Sequence, residues 1–258
     1  MSLSLLELAS RLGFRRIPEI LESELSRATS EEASYTELLE RLWRAELHAQ
    51  NDAACDRRIA AAQIPVVWDL ATFPYDLQPG IKRAVIHELA RLDFLAQSKN
   101  VVLIGDTGVG KTGIATGLLL KALQEGRRGR FIKAQDLFDE LYQSLADRSS
   151  QRRLRHFARL EILLVDELSY LTLKPEQTNL FFKLMDERYT LRKPTIITTN
   201  LDYGEWGRFL NNPEMAPALT DRIQDRCHTI RIKGPSLRGE TNQEPATPTK
   251  KKRTAKST

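Results

Sequence analysis

The stretch Asn100-Val-Val-Leu-Ile-Gly-Asp-Thr-Gly-Val-Gly-Lys-Thr112 leaves this chain few folds to choose from. An apolar run, Val101 to Ile104, breaks into a glycine-rich turn and then into a segment fit to start a helix at Lys111. Gly105 and Gly110 are separated by four residues and followed at once by Lys111 and Thr112, the full phosphate-binding loop pattern. Glycines let the backbone turn tightly enough for successive amides to face a polyphosphate, and the next helix adds its positive end. The candidate nucleotide-binding residues are therefore Gly105, Asp106, Thr107, Gly108, Val109, Gly110, Lys111, Thr112 and Gly113. Lys111 is placed to reach the β- and γ-phosphates, and the Thr112 hydroxyl to ligate Mg²⁺. ATP and Mg²⁺ are the expected cofactors.

Bulk composition sets limits around that motif. The chain has 258 residues, enough for one large domain or a nucleotide-binding domain with a smaller appendage, and 41% apolar residues supply a core. The formal net charge is +5, of which the segment 239–258 carries +3 through Lys250, Lys251, Lys252, Arg253 and Lys256 against Glu240 and Glu244. Any basic surface on the body is therefore local. Cys55 and Cys227 form no paired motif, as in a reducing compartment, and the four histidines lack metal-ligand spacing. No apolar run approaches membrane-spanning length, and the expected location is cytoplasmic.

Residues 1–65 read as helical throughout and are expected to form a domain that docks a partner or DNA; a plain solvated helix face is the competing reading. Gly13 punctuates an opening helix, Thr29-Ser-Glu-Glu32 resembles a capping box, and a long helix spans 34–62. Pro65 ends the region. The aromatic segment 66–80, with Trp68, Phe73 and Tyr75, packs beside the nucleotide base or connects domains. One helix is expected over 81–97. After the phosphate loop, strands alternate with helices to about residue 233. This predicts an α/β fold, a parallel sheet covered on both faces. The tail from Gly239 is rich in Thr, Pro and Lys and reads as disordered and basic.

Glu161-Ile-Leu-Leu-Val-Asp-Glu167 is an apolar strand ending in two acids. In an open α/β sheet the ligand lies beyond the carboxyl ends of the strands. Asp166 is placed to hold Mg²⁺ together with Thr112, and Glu167 to orient and deprotonate the attacking water. Thr195-Ile-Ile-Thr-Thr-Asn200 is a further strand, whose terminal Asn200 can bond the γ-phosphate or the water. Arg222 and Arg226 share one helix face and either pair with Asp221 and Asp225 or supply an arginine finger to a neighbouring subunit.

Gly105–Thr112, Val165-Asp-Glu167, Thr198-Thr-Asn200, Asp221-Arg222 and Gly234-Pro-Ser-Leu-Arg238 together resemble, in order, the landmarks of AAA+ ATPases. The likeness is greatest to the DnaC/DnaA-like initiator clade and, within it, to the IstB-type helper ATPases of bacterial insertion sequences. It covers roughly residues 35–238, and the AAA+ domain is taken as 66–238. The resemblance implies an ATPase that assembles into a ring or helical oligomer on double-stranded DNA and controls a cognate transposase. A replicative helicase loader of the DnaC type is the nearest rival. The likeness makes Lys111, Glu167, Asn200 and Arg222 catalytic, and it places Arg238 near a second nucleotide sensor, although the usual lid is shortened here. It also implies an extra helix between the second and third strands. Arg148, Arg152, Arg153 and Arg155 lie there and are the candidate DNA contacts; an exposed basic helix without a ligand is the alternative.

Overall fold

The computed structural model describes residues 4–146, 148–169 and 173–237. The chain divides into two compact units, 1–60 and 61–258.

The first unit contains helices α1 (Leu5–Arg11) and α2 (Ile17–Ser30) and most of α3 (Tyr35–Ala62). Its core is thin, with Ala9, Ile17, Leu21 and Leu42 buried and Leu6, Phe14, Ile20 and Leu38 packed against them. Ser34 and Glu37 form the capping box of α3: the Ser34 amide donates to Glu37 Oε2 at 2.8 Å and the Glu37 amide to Ser34 Oγ at 3.3 Å. The box expected at Thr29–Glu32 is absent, because α2 runs on to Ser30 and the Thr29 hydroxyl donates back to the Leu25 carbonyl. Glu46 of α3 is buried, and its carboxylate accepts from the Arg15, Arg16 and Ile17 amides. Burial works against the charge. The amide hydrogen bonds outweigh it and hold the carboxyl down at about 2.

In the second unit, after the end of α3 and a 3-10 turn at Tyr75–Leu77, come α4 (Arg83–Leu89) and α5 (Asp93–Ala96), where the sequence predicts one helix over 81–97. Leu92 takes a left-handed conformation, φ 63°, while its side chain is buried, and that reversal breaks the helix. Strands β1 (Asn100–Gly105), β2 (Gly129–Lys133), β3 (Ile162–Leu168), β4 (Thr195–Thr199) and β5 (Cys227–Ile232) form one sheet in the order β2-β3-β4-β1-β5. Every pairing is parallel, so all five carboxyl ends face one way. Helices α6 (Lys111–Gln124), α7 (Ala134–Ala146), α8 (Ser150–Arg159), α9 (Pro175–Thr190), α10 (Trp206–Phe209) and α11 (Met215–Asp225) flank it. Central strands covered on both faces must be apolar at every position, not at alternate ones. Val101, Val102, Leu103, Leu163, Leu164, Val165, Ile196 and Ile197 accordingly have no exposed surface.

One charged side chain lies inside this core. Arg188 of α9 is 1% exposed and donates to the Phe157, Ala158, Leu160 and Pro194 carbonyls and to Thr195 Oγ1. Burial pushes its guanidinium down to about 9, so it stays charged at neutral pH. Its hydrogen bonds satisfy the carbonyls at the end of α8 and tie that helix to the start of β4.

Candidate nucleotide site

The site lies where β1, β3 and β4 end. Gly108 (φ 88°) and Gly110 (φ 95°) turn the loop after β1 through left-handed conformations that bring the chain into α6 at Lys111. Phe73 and Trp68 pack against the first turn of α6, so that a Cβ on Gly113 would lie 3.2 Å from Phe73 and 3.5 Å from Trp68. The Lys111 ammonium donates to the Gly105 and Asp106 carbonyls at 2.7 Å each, which folds it over the loop that a phosphate would fill.

The segment after β5 crosses this loop. The Leu237 amide donates to the Gly108 carbonyl at 2.9 Å, and Ser236 occupies the space that a Cβ on Gly108 would take. Gln78 is wholly buried, and its amide nitrogen donates to Val109 O at 3.3 Å and to Pro235 O at 2.8 Å, tying the loop to that crossing segment. Arg238 lies outside the described residues, as does the segment 239–258.

Thr112, Asp166 and Thr198 meet at the centre. Asp166 Oδ1 accepts from Thr112 Oγ1 at 2.9 Å and from Thr198 Oγ1 at 2.6 Å. Asp166 is 2% exposed, and burial raises its carboxyl above the ordinary range even though both hydroxyls favour the charged form. A desolvated carboxylate beside a hydroxyl, both oxygen donors, fits a hard divalent cation such as Mg²⁺. Among the described residues no cluster of three His, Cys, Asp or Glu side chains forms a self-sufficient metal cage.

Glu167, the next residue, points elsewhere. The register between β3 and β4 shifts between Val165 and Leu168, and Glu167 has φ 58°. A bulge re-aims a side chain at the cost of local strain, and the Thr198 hydroxyl takes up the displaced Glu167 amide at 2.9 Å. Neighbouring acids thus diverge, Asp166 buried and Glu167 exposed. On the adjacent strand Lys133 stands opposite Asp166, with its ammonium 4.0 Å from Glu167 Oε2. Asn200 follows β4, and its Oδ1 is buried without a hydrogen-bond partner among the described residues.

The loop and strand-end residues therefore come together, whereas the arginines lie apart from them. Arg222 of α11 pairs with Asp186 at 2.8 Å, donates to Ala218 O and stacks over Phe182. Its expected alternative partner was Asp221; Asp186 on α9 takes that place. Arg226 does pair with Asp225, at 3.5 Å. Arg152, Arg153 and Arg155 lie exposed on α8, opposite buried Leu154, Phe157 and Ala158, and Arg148 precedes the helix at φ 58°. Arg153 is engaged by Glu140 at 2.6 Å and Arg155 by Gln151 at 3.3 Å. Gln78 and Lys133 escaped sequence reasoning, since nothing local marks a glutamine or lysine as lying beside a loop distant in sequence. The hydroxyl of Thr198 was within reach of it, as a polar group closing an apolar strand.

A five-stranded parallel sheet in the order 2-3-4-1-5, with a phosphate loop after β1 and an acidic pair ending β3, defines a P-loop ATPase of the AAA+ class. The chain belongs to the IstB-like ATP binding protein family, whose model matches residues 7–245. It is 34% identical over 231 residues to the ATP-binding protein of insertion sequence IS21 from Pseudomonas aeruginosa, covering 90% of this chain and 87% of that one. Identity to the corresponding protein of insertion sequence IS232 from Bacillus thuringiensis is 30%, over 88% and 90% of the two chains. Among solved structures, the DnaC helicase loader superposes with a TM-score of 0.51 at 24% identity, over 58% of this chain and 88% of that one. AMPPCP-bound DnaA from Aquifex aeolicus gives 0.52 at 18%, over 63% and 49%. These two likenesses show the fold. No helix among the described residues is long and apolar enough to cross a membrane.

Proposed function

We propose that this ATPase assembles on double-stranded DNA when ATP is bound and thereby controls the transposase of its insertion sequence. The insertion-sequence relatives support the transposase part of the reading, and the observation that carries its ATP switch is the divergence of Asp166 and Glu167. One carboxylate is buried against Thr112 and the other is turned out by a strained bulge. A binding-only module has no use for the strained Glu167.

In this reading Lys111 leaves the Gly105 and Asp106 carbonyls for the β- and γ-phosphates. Thr112 and Asp166 would hold Mg²⁺, which would supply positive charge against the phosphates. Glu167 accepts the proton of the attacking water, and Asn200, whose buried Oδ1 has no partner among the described residues, orients that water. Arg222 releases Asp186 to reach the nucleotide of an adjacent subunit in a ring or helical oligomer, so that ATP closes the interface and hydrolysis opens it. Arg238 completes the sensing of the γ-phosphate. Arg148, Arg152, Arg153 and Arg155 follow DNA phosphates without reading sequence.

The domain limits follow this division of labour, with 1–65 docking the partner, 66–238 working as the ATPase and 239–258 a basic tail. Tyr35, Trp43 and Leu47 are exposed on α3, and aromatic anchors of this kind favour a protein partner for the first of these. The insertion-sequence relatives favour a transposase over a helicase as that partner. The cytoplasm is where all these partners meet.

Anisotropy with random-sequence duplex, in ATP, in ADP and without nucleotide, tests the proposal. Cooperative binding confined to ATP is expected. Equal binding in all three states, or none, overturns it.

A further inference from the structure

All five strands of the sheet are parallel, so their amino ends form a second edge, remote from the phosphate loop. A basic residue stands within three positions before every one of them. In spatial order these are Arg127 and Arg128 before β2, Arg159 before β3, Arg192 and Lys193 before β4, Lys99 before β1, and Arg226 before β5. Neighbouring strands lie about 4.8 Å apart, so the row extends for roughly 19 Å.

The two ends of the row are engaged in ion pairs, although at the β2 end one carboxylate serves two guanidinium groups. Glu161 takes Arg127 at 3.4 Å and Arg128 at 4.0 Å, and Asp225 takes Arg226 at 3.5 Å. In the middle, Arg159, Arg192, Lys193 and Lys99 form no ion pair with any described carboxylate. Arg159 does not cap its own helix either. Cations near helix carboxyl ends commonly bond the last carbonyls, but at the end of α8 buried Arg188 takes the carbonyls of Phe157, Ala158 and Leu160. Between β3 and β4 the edge is hollowed by a cavity of about 130 Å³, lined by Arg127, Arg192, Lys193, Leu95, Pro194 and the Glu161 carboxylate that Arg127 engages.

The row also continues onto α8. Arg152, Arg155 and Arg159 recur at i, i+3 and i+7, all exposed, and the helix delivers Arg159 to the start of β3.

We infer that the amino-end edge of the sheet is a phosphodiester-binding surface, a continuation of the α8 arginines that carries duplex DNA across β3, β4 and β1. Phosphates of one strand advance about 3.4 Å along the duplex axis, so a row of this length meets several of them. Guanidinium forks suit phosphate oxygens, and a hollow with two cations that pair with no described carboxylate seats one phosphate group. The inference rests on the DNA-binding reading given above and deepens it.

The test uses the full chain. Duplex affinity is measured in ATP across a salt series for wild type, for Arg192→Gln/Lys193→Gln, and for the charge-matched control Lys82→Gln/Lys121→Gln. Unchanged ATP hydrolysis without DNA and an unchanged urea midpoint confirm that each variant is folded. The row predicts that log K against log salt becomes shallower by about 2 for Arg192→Gln/Lys193→Gln and is unmoved for the control. An equal slope in all three overturns it while leaving wild-type DNA binding intact. Wild type that ignores duplex in every nucleotide state overturns the parent reading and this one with it. Polyglutamate of matched charge is the second arm: loss of polyglutamate binding with duplex affinity retained assigns the edge to an acidic protein segment and overturns the inference.

Discussion

The two ends of this one sheet are built on opposite plans. At the carboxyl end the polar groups are held in fixed directions: Lys111 on two carbonyls, Asp166 on two hydroxyls, and Asn200 Oδ1 buried with no partner among the described residues. Its backbone is strained at Glu167 and crowded at Gly108. At the amino end the cations are exposed or half-buried and loosely held, and one buried group, Arg188, supplies the rigidity. Chemistry on a phosphoryl group requires fixed directions, whereas a polyanion asks only for charge density. Substitutions at the first end should therefore act singly and strongly, and those at the second weakly and additively.

Glu167→Gln should give the largest effect. On the proposed mechanism it removes the proton acceptor and keeps the shape, so ATP hydrolysis should fall about 100-fold or more while nucleotide binding persists. Phosphate release and binding of a fluorescent ATP analogue measure the two separately. Binding lost in parallel with hydrolysis would show that Glu167 holds the nucleotide and does not act on water.

Arg188→Met challenges the comparison from the other side, because it is an amino-end change with a cost typical of a core. Three carbonyls and Thr195 Oγ1 would lose their donor, and Pro194 O would keep only the long bond from the Leu163 amide, for a destabilisation of about 3 kcal/mol read from the urea midpoint. A loss under about 1 kcal/mol would mean that water or backbone shifts satisfy those oxygens, and that the α8 end is not anchored as described.

Asp166→Asn sharpens the carboxyl-end plan. Burial raises the Asp166 carboxyl, so the folded protein holds that proton more tightly than the unfolded chain does. The contribution of this group to stability is full below its unfolded value and is lost as pH rises through the folded one. At neutral pH the ionised group thus opposes folding of the nucleotide-free protein. Asp166→Asn should raise the thermal midpoint there by a few degrees while abolishing hydrolysis, and the gain should shrink as pH falls. A lowered midpoint at neutral pH would show that the Thr112 and Thr198 hydroxyls already compensate the charge.

Much of the carboxyl end was legible in the residues. Gly105 to Thr112 dictates a turn and a helix start, and the apolar run into Asp166 and Glu167 dictates a buried strand with acids at its mouth. What stayed hidden depends on partners distant in sequence. Leu92 reverses the chain inside what reads as one helix because its side chain is drawn into the core, a tertiary demand that periodicity does not register. Ser34 displaces Thr29 as a cap because α2 holds the Thr29 hydroxyl on its own carbonyl. Arg222 finds Asp186 on another helix, and Arg188 finds carbonyls at the end of α8, so neither partner has a local signature. The amino-end row was spelled out in the chain, but as scattered basic residues; only the strand order makes them neighbours.

The smallest expected effect bears most directly on the contrast. Arg192→Gln removes one exposed cation that has no described carboxylate partner. Stability should change by no more than about 0.5 kcal/mol, and the salt slope of duplex binding should drop by about 0.9. If the amino end works by charge density, Arg159→Gln should give a similar increment, and the two together should nearly sum. If instead either change alone removes most of the binding, the edge holds one directed contact. The difference between the two ends of the sheet would then be one of burial and not of plan.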